Sequence, residues 1–442
     1  MVTSSALTLE SLFARLYGVA LVAHVVGNWA QPDIPTLVGF LNLSVGVAGL
    51  TLAVWPRRPF LLAASILTLG SVLGEMPFTG NHWLVAALAG LAILVTGANP
   101  DSYLPALRWI FVVFYGFAAF AKLNSGFFDS SVSCAVFYTN QSLHGFGLDP
   151  LPESSFVRTL TIWATAGIEL SIVPLLLIRR TRYAGAVLAT AFHILISFDL
   201  NQHFYDFTSI LIALLVCFLP KESLSDLCSR LTPWIRPLRL GWLVLGPFLL
   251  LLAVLPVSDA TVAVLTRFPF VVWIPASLAW LWGIVRAWRS GTELRWHPGW
   301  LAGAVVVATL INGLTPYTEI KTAYGFNMYA NLVTARGESN HFLVRHTIPL
   351  RNGYERPVEI IESSDPSLEL YRDFGYLIAY PQFQRYVSGK AIAVIFLRDG
   401  RRFSLDTAVG LEPGPWWWRF LPLRAIDSTN PARCQDVFLA AQ

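Results

Sequence analysis

Long apolar runs occupy most of the first three quarters of the chain. Eleven of these runs approach the roughly 20 residues that a helix needs to cross a bilayer. They lie near residues 13–29, 36–55, 59–78, 83–98, 107–121, 156–178, 183–199, 205–219, 240–258, 271–288 and 300–314. The pattern therefore predicts a polytopic α-helical membrane protein with about 11 helices, whose transmembrane domain covers residues 1–314.

Mixed polar and apolar patterns replace these runs from residue 315 onward and predict a small α+β domain over residues 315–442. Its clearest signal is the Asp399-Gly400 dipeptide between two strand-like runs, because a tight hairpin turn favours residues that adopt positive φ. The segments NHFLVRHTIPL and PVEIIESS predict two more strands. The segment PSLELYRDFGYLIAYPQFQRYVS predicts a helix that is broken near Pro381.

The distribution of Lys and Arg predicts the orientation of the chain in the cell membrane. One set of alternate connections holds 13 of these residues, whereas the other set holds only Lys122, Arg158 and Arg267. Positively charged connections stay in the cytoplasm. We therefore expect the loop 124–155 and the C-terminal domain to be extracytoplasmic.

Composition agrees with this class and limits the partners. Hydrophobic residues make up 55% of the chain and charged residues 13%, which is more apolar surface than a soluble core can hide. The net charge of +4 comes mostly from the cytoplasmic connections, and no basic stripe with interleaved aromatic residues occurs in the sequence. We expect the lipid bilayer as a partner and no nucleic acid.

The predicted orientation places two of the four cysteines on the same side of the membrane. Cys134 and Cys434 both fall on the outer side, where oxidising conditions allow a disulfide to form. Such a bridge would join the outer loop to the end of the C-terminal domain. Two unpaired thiols are the alternative, and the sequence leaves both open.

Lys122 is the most informative ionisable residue, because charged groups at membrane helices are costly and usually functional. It closes the apolar segment 111–121 at the outer rim. If Phe117, Phe120, Phe127 and Phe128 bury the amine, desolvation makes a neutral amine available as a base. If the side chain reaches the interface instead, Lys122 is only an anchor.

Glu169 and His193 lie on the two helices that the RRTR turn connects. Each is ten or eleven residues from that turn, which places both about 15 Å from the cytoplasmic rim. Antiparallel neighbours at equal depth predict a hydrogen bond between these side chains. The bond is either a structural contact between helices or part of a catalytic site.

Further polar residues surround the outer end of this region. Together with Glu169, they are the candidates for lining a ligand pocket: Asn124, Asp199, His203 and Asp206. No H-x-x-x-H, H-x-x-E-H or Cys/His pattern occurs in the sequence, so we predict no metal site. The histidines at positions 24, 82 and 144 are expected to be solvated or ordinarily hydrogen-bonded.

The stretch FYGFAAFAKLNSGFF resembles the lysine-bearing segment of the vitamin K-dependent gamma-carboxylase family and its bacterial relatives with the HTTM domain. Downstream, IELSIVPLLLIRRTRYAGAVLATAFHILIS is similar to the family's acidic helix, basic turn and next helix with a buried histidine. The resemblance covers about residues 10–290 in layout and about 100 residues in recognisable pattern, and its motifs are short. After Lys122 the chain departs from the family pattern, since NSGFFDSSVSCAVFY stands where relatives tend to show a tryptophan and a glycine.

The resemblance implies a mechanism and a cofactor. Lys122 falls on the position of the catalytic base, which deprotonates reduced vitamin K, a naphthoquinol. Oxygen then attacks, and the strong base so formed removes a proton from a glutamate γ-carbon to which CO2 adds. His193 would orient or protonate the quinol. The outer domain would help to hold a protein or peptide substrate, although it is shorter than in the animal enzymes.

A non-enzymatic scaffold or accessory subunit is the main alternative to this quinone-linked, carboxylase-like enzyme. In that role the helices would present the outer domain to a partner, and the WWWRF cluster at 416–420 would dock on membrane or protein. A transporter is a weaker alternative, because the hydropathy pattern shows no inverted repeat.

Overall fold

The computed structural model describes residues 7–27, 37–252, 259–288 and 294–435. The end of the run predicted near 240–258 and part of the basic connection between Arg286 and Arg295 lie outside these ranges. Thirteen α-helices precede the C-terminal domain in the described ranges: α1 (Leu9–Gly27), α2 (Leu37–Val54), α3 (Arg58–Glu75), α4 (Asn81–Val95), α5 (Pro100–Phe120), α6 (Cys134–Gly145), α7 (Ser155–Leu177), α8 (Arg182–Ile196), α9 (Phe204–Leu215), α10 (Lys221–Leu231), α11 (Ile235–Leu252), α12 (Asp259–Arg286) and α13 (Trp300–Leu314).

Each of the eleven predicted apolar runs overlaps one of these helices. Among the described residues, seven helical segments are long and apolar enough to cross a membrane: Leu9–Gly27, Leu37–Val54, Pro100–Phe120, Ser155–Leu177, Lys221–Leu252, Thr266–Arg286 and Trp300–Thr318. Asn81–Val95, Arg182–Ile196 and Phe204–Phe218 are apolar but shorter. The protein is mostly helical, and these segments indicate that it is associated with a membrane.

Helix α6 is absent from the sequence prediction, which treats residues 124–155 as a loop. It begins at an N-cap, where the Ser133 hydroxyl accepts a hydrogen bond from the Ala135 amide at 3.2 Å. Its length of 12 residues and mixed polarity give it no membrane-like pattern. This helix packs on α7 and on the turn before α9 and contributes to the cavity described below.

Small residues bring the first two helices into close contact. A Cβ atom added at Gly18 would lie 2.5 Å from the carbonyl oxygen of Gly49, and one added at Gly49 would lie 2.7 Å from that of Gly18. Backbones approach this closely only where neither residue carries a side chain, as is common between membrane helices. Helices α1 and α2 therefore form a fixed wall beside the aromatic core around the fully buried Trp83.

The C-terminal domain contains a five-stranded antiparallel sheet in the order β6-β5-β3-β4-β7. The described strands and helices of this domain are β1 (Thr334–Ala335), β2 (Glu338–Ser339), β3 (Val358–Ser363), α14 (Pro366–Phe374), β4 (Tyr376–Ile378), α15 (Tyr380–Val387), β5 (Val394–Arg398), β6 (Arg401–Leu405) and β7 (Ile426–Asp427). Asp399 and Gly400 connect β5 to β6, both with positive φ. The hairpin prediction is confirmed, and β3 confirms the strand predicted for PVEIIESS.

Two other predictions for this domain are wrong. The segment NHFLVRHTIPL forms no regular strand, because several of its amides donate to carbonyls outside the sheet, for example Phe342 to Leu123 at 2.9 Å and Ile348 to Tyr317 at 3.0 Å. The predicted helix breaks at Gly375, which adopts φ +65° after α14, and not at Pro381, which lies in the first turn of α15. Proline is well accommodated in a first helical turn.

Four kinds of contact fix the C-terminal domain on the end of the bundle that carries Lys122. The guanidinium of Arg419 donates to the carbonyls of Leu73, Gly74 and Met76 at the end of α3, at 3.0, 2.6 and 3.0 Å. The other three are the buried Phe326 ring packed on Phe114, the His341 imidazole bonded to the Phe120 carbonyl, and the disulfide between Cys134 and Cys434. The C-terminal domain therefore packs on the end of α5, next to Lys122.

Candidate functional site

A cavity of about 610 Å³ lies among α5, α6, α7, α8 and α9 and beneath Met328 and Tyr329 of the C-terminal domain. Its wall is mostly aliphatic and aromatic, and its polar lining includes Lys122, Glu169 and His193. The volume falls within the roughly 300–1,000 Å³ that is typical of small-molecule sites. An apolar pocket with a few convergent polar groups is the arrangement expected of a site that orients an amphipathic ligand.

Lys122 and Glu169 form a buried ion pair in this cavity. The Lys122 Nζ lies 2.8 Å from the Glu169 Oε2, and the two side chains are only 7% and 12% exposed. The amine also donates to the carbonyls of Ala118 at 3.3 Å and Met328 at 3.5 Å. Lys122 thus turns back into the protein, so the geometry favours a buried amine over an interfacial anchor.

Asn124 shapes the chain that carries Lys122. Its amide nitrogen donates to the Ala121 carbonyl at 2.8 Å and to the Ala330 carbonyl, and its amide oxygen accepts from the Phe127 amide at 2.9 Å. Asn124 is fully buried and is not among the residues that line the cavity. It therefore closes the end of α5 and joins it to the C-terminal domain, instead of touching a ligand as predicted.

His193 lines the same cavity but does not bond to Glu169, so that prediction is wrong. The His193 Nε2 lies 3.0 Å from the hydroxyl of Tyr115, and its buried Nδ1 has no hydrogen-bond partner among the described residues. The ammonium of Lys122 reaches Glu169 instead, since a full charge is a stronger partner for a carboxylate than a neutral imidazole. His193 therefore keeps one buried polar atom without a partner among the described residues.

Asp199 and His203 support the outward turn between α8 and α9. The Asp199 Oδ2 accepts from the Ser142 hydroxyl at 2.9 Å, and its Oδ1 accepts from the Asn201 amide at 2.9 Å. These bonds hold α6 against the turn. His203 occupies the N-cap position of α9 and packs beside Gly27. Neither Asp199 nor His203 lines the cavity.

Asp206 belongs to a separate cluster. Its Oδ2 lies 2.9 Å from the Nδ1 of His24 and 2.8 Å from the Nε2 of His82. These two histidines are hydrogen-bonded, as expected from the sequence, but they converge on one carboxylate oxygen from two other helices. A single aromatic ring separates this cluster from the cavity, because Phe207 contacts both His82 and His193.

Sequence reasoning missed Tyr115 and Tyr329, which also line the cavity. Tyr115 could have been found from the sequence, since it precedes Lys122 by seven residues and so lies near the same helix face. Tyr329 is distant in sequence and has no such signal. Its φ of +50°, like the +62° of Phe326, is rare for a bulky residue. Backbone of this kind concentrates at functional sites, and here it forms the roof of the cavity.

A second buried lysine, Lys321, lies outside the cavity. Its Nζ donates to the Asn312 Oδ1 at 2.8 Å, and burial lowers its pKa from 10.5 to about 7. Because this folded-state pKa lies below the unfolded one, the unfolded chain binds more protons between about pH 7 and 10.5. Stability should therefore rise with pH across this window, and the rise should shrink in Lys321→Met. Melting temperatures measured against pH check this, and identical slopes in both proteins would contradict it.

Comparison with known proteins identifies no relative of this chain. The chain matches no known family model, no curated protein and no solved structure. The case for a function therefore depends on the cavity, its polar groups and the motif resemblance.

Proposed function

We propose that the protein is a quinone-linked membrane enzyme of the HTTM and gamma-carboxylase-like type, in which Lys122 removes a proton from a reduced naphthoquinone. The observation that carries this proposal is the Lys122 and Glu169 pair in the wall of an apolar cavity of about 610 Å³. A quinol has a flat apolar body and acidic hydroxyl groups, so it needs an apolar pocket with a base at one point.

The ion pair provides a route to a neutral amine. Transfer of one proton from the Lys122 Nζ to the Glu169 Oε2, which lie 2.8 Å apart, leaves an amine and a carboxylic acid. An apolar environment disfavours separated charges, so it lowers the cost of this neutral pair. When the amine then takes the proton of a quinol hydroxyl, an O–H bond breaks, an N–H bond forms and the electron pair remains on the quinol oxygen.

His193 is placed to orient the ligand. Its Nε2 is engaged by Tyr115 at 3.0 Å, and rotation of the ring would present the buried, unpartnered Nδ1 to the second hydroxyl or carbonyl of a naphthoquinone ring. Attack of oxygen on the resulting phenolate, and CO2 addition to a glutamate of a protein or peptide on the outer face, are the steps that the family resemblance implies.

The mouth of the cavity suits a ligand that arrives through the bilayer. Leu160 on α7 and Leu195 on α8 line the cavity and are nevertheless 57% and 68% exposed. Exposed leucines on membrane helices face lipid tails. A quinone with an isoprenoid tail would enter between these helices and leave its tail in the membrane.

The proposed location follows from charge and redox chemistry. The bias of Lys and Arg favours a multi-pass protein of the cell membrane with the C-terminal domain outside. The bond between Cys134 and Cys434, with Cα atoms 4.8 Å apart, suits an oxidising outer compartment. Oxygen and a secreted or surface substrate would both be accessible there.

A mouth-blocking substitution tests this entry route. Purified protein in detergent should be stabilised by a reduced menaquinone-type naphthoquinone, by about 2.7 kcal/mol at 100 times its Kd. Leu160→Trp should weaken this stabilisation by filling the mouth. Leu301→Trp is the matched control, because Leu301 on α13 is also exposed, at 41%, and is not among the residues that line the cavity. Equal loss in both variants, or no stabilisation of folded wild type by any naphthoquinone, would contradict the proposal.

The scaffold alternative keeps one supporting observation, the exposure of Trp416 at 75% and Trp417 at 45%. Arg419, in the same turn, is held by the backbone carbonyls at the end of α3. This contact places the tryptophans beside the outer end of a bundle helix, where aromatic residues commonly sit at the membrane interface. Loss of partner capture in Trp416→Ala, together with no quinol turnover by folded wild type, would favour the scaffold.

A further inference from the structure

Three helices bring together a second constellation that has no part in the proposed reaction. His24 near the end of α1, His82 in the first turn of α4 and Asp206 in the first turn of α9 each offer one donor atom, and these atoms lie within 4.8 Å of one another. His24 and Asp206 are 5% exposed, whereas the His82 side chain is 21% exposed. The cluster is therefore buried but open to the outside at His82.

We propose that His24, His82 and Asp206 bind a divalent transition-metal ion, with Zn²⁺ as the best match. Two imidazoles and a carboxylate are a donor set that Zn²⁺ uses with an open fourth position. Bonds of about 2.1 Å in a tetrahedral site require donor atoms about 3.4 Å apart. The Asp206 Oδ2 lies 2.9 and 2.8 Å from the two imidazole nitrogens, and the longest separation among the three donor atoms is 4.8 Å. Admitting the ion therefore requires the carboxylate oxygen to move back by about half an ångström and the two imidazole nitrogens to approach each other by about 1.4 Å.

The surroundings of His24 resemble the outer shell of a metal ligand. Its Nε2 lies 3.8 Å from the Glu75 Oε1, while its Nδ1 faces Asp206. Metal-bound histidines usually direct their second nitrogen at a carboxylate in this way. The indole of Trp83 stacks on His24 with ring centroids 3.6 Å apart and donates to Ser71 at 3.2 Å, and Ser71 donates to Glu75 at 3.1 Å. The His24 ring is thereby fixed on both sides.

A second observation points to a missing partner. The Asp206 Oδ1 is buried and has no hydrogen-bond partner among the described residues. A bound ion, or a water molecule on that ion, would satisfy it. Charge also balances, since one dication neutralises the carboxylates of Asp206 and Glu75 in apolar surroundings.

No sequence pattern indicates this site, because the three ligands come from three separate helices. Patterns such as H-x-x-x-H detect only ligands on one element. Phe207, next to Asp206, touches both His82 and His193. An ion here would therefore stiffen the α9 wall of the cavity without contacting a ligand inside it.

Zn²⁺ titration of full-length, tag-free protein after chelator treatment tests the proposal by isothermal calorimetry. Wild type should bind one Zn²⁺ per chain, and Asp206→Asn and His82→Ala should each weaken binding by at least about 100-fold. The matched control is His346→Ala, whose side chain is 78% exposed and lies outside the cluster. Absence of stoichiometric binding to wild type, or unchanged affinity in both cluster variants, would overturn the proposal and leave a metal-free hydrogen-bond network.

Co²⁺ substitution of wild type gives an answer even if the variants fail to fold. A bound Co²⁺ with few ligands shows intense visible absorption, whereas octahedral aqueous Co²⁺ absorbs weakly. We expect the intense spectrum to develop in proportion to added Co²⁺ up to one equivalent and to vanish on addition of Zn²⁺. A weak octahedral spectrum throughout would overturn the proposal.

Discussion

Lys122→Met is expected to lower the free energy of unfolding by about 3–5 kcal/mol, because it leaves the Glu169 carboxylate buried without its cation. The Lys122 Nζ and the Glu169 Oε2 are 2.8 Å apart, and both side chains are nearly inaccessible to water. Glu169→Gln should be costly for the same reason, since it strands the ammonium. Equilibrium unfolding in detergent measures both effects.

The double variant Lys122→Met/Glu169→Leu separates stability from chemistry. Replacing both partners of a buried ion pair by apolar residues is often neutral or stabilising, so this variant should recover most of the lost stability. Lys390→Met is the control for removing a lysine, because Lys390 is exposed in the C-terminal domain, where its ammonium contacts the Tyr386 ring as a cation. Its effect should stay within about 1 kcal/mol. An unchanged free energy in Lys122→Met would show that the pair does not form.

Breaking the Cys134 and Cys434 disulfide is the second large expected effect. The bridge spans a sequence separation of 300 residues and joins the start of α6 to the end of the C-terminal domain. Removing a native disulfide costs about 2–5 kcal/mol. Cys134→Ala/Cys434→Ala should lose stability by this amount and should also weaken naphthoquinone binding, since Cys134 lines the cavity.

Cys228→Ala is the matched control for losing a sulfur without losing a bridge, because Cys228 is a buried free thiol. It should retain naphthoquinone binding. Treatment of wild type with a reductant should reproduce the stability loss of the double variant. Reduced Cys228→Ala should be as stable as reduced wild type. If the double variant unfolds at the same denaturant concentration as oxidised wild type, the bridge makes no contribution.

The length of the apolar runs made the helical part of the fold predictable. Eleven apolar runs overlap eleven helices, because a run of bilayer length needs no detail of packing to form a helix. The same criterion could not reveal α6, which is short and of mixed polarity. In the C-terminal domain, Asp399-Gly400 predicts the β5–β6 hairpin correctly, because a tight turn requires positive φ at these two positions whatever the rest of the domain does. The segment 340–350 does not form a strand because its amides donate to carbonyls outside the sheet, such as those of Leu123 and Tyr317.

The sequence predicts those residues of the candidate site that lie on one helix or on two helices joined by a short turn. Lys122, Glu169 and His193 do share a cavity. Their partners were not predictable, because the pairing of Lys122 with Glu169 depends on how α5 packs against α7. The His24, His82 and Asp206 cluster shows the same limit, since its members meet only through the packing of α1, α4 and α9.

The most direct test of the central claim is quinol-dependent oxygen consumption by purified wild type and by Lys122→Met/Glu169→Leu at matched folded fractions. We expect wild type to turn over with a reduced naphthoquinone and the double variant to lose at least about 100-fold of this activity, which is the lower range for a general base. Lys390→Met should turn over like wild type. Equal turnover by the double variant and wild type would contradict a role for Lys122 as the base.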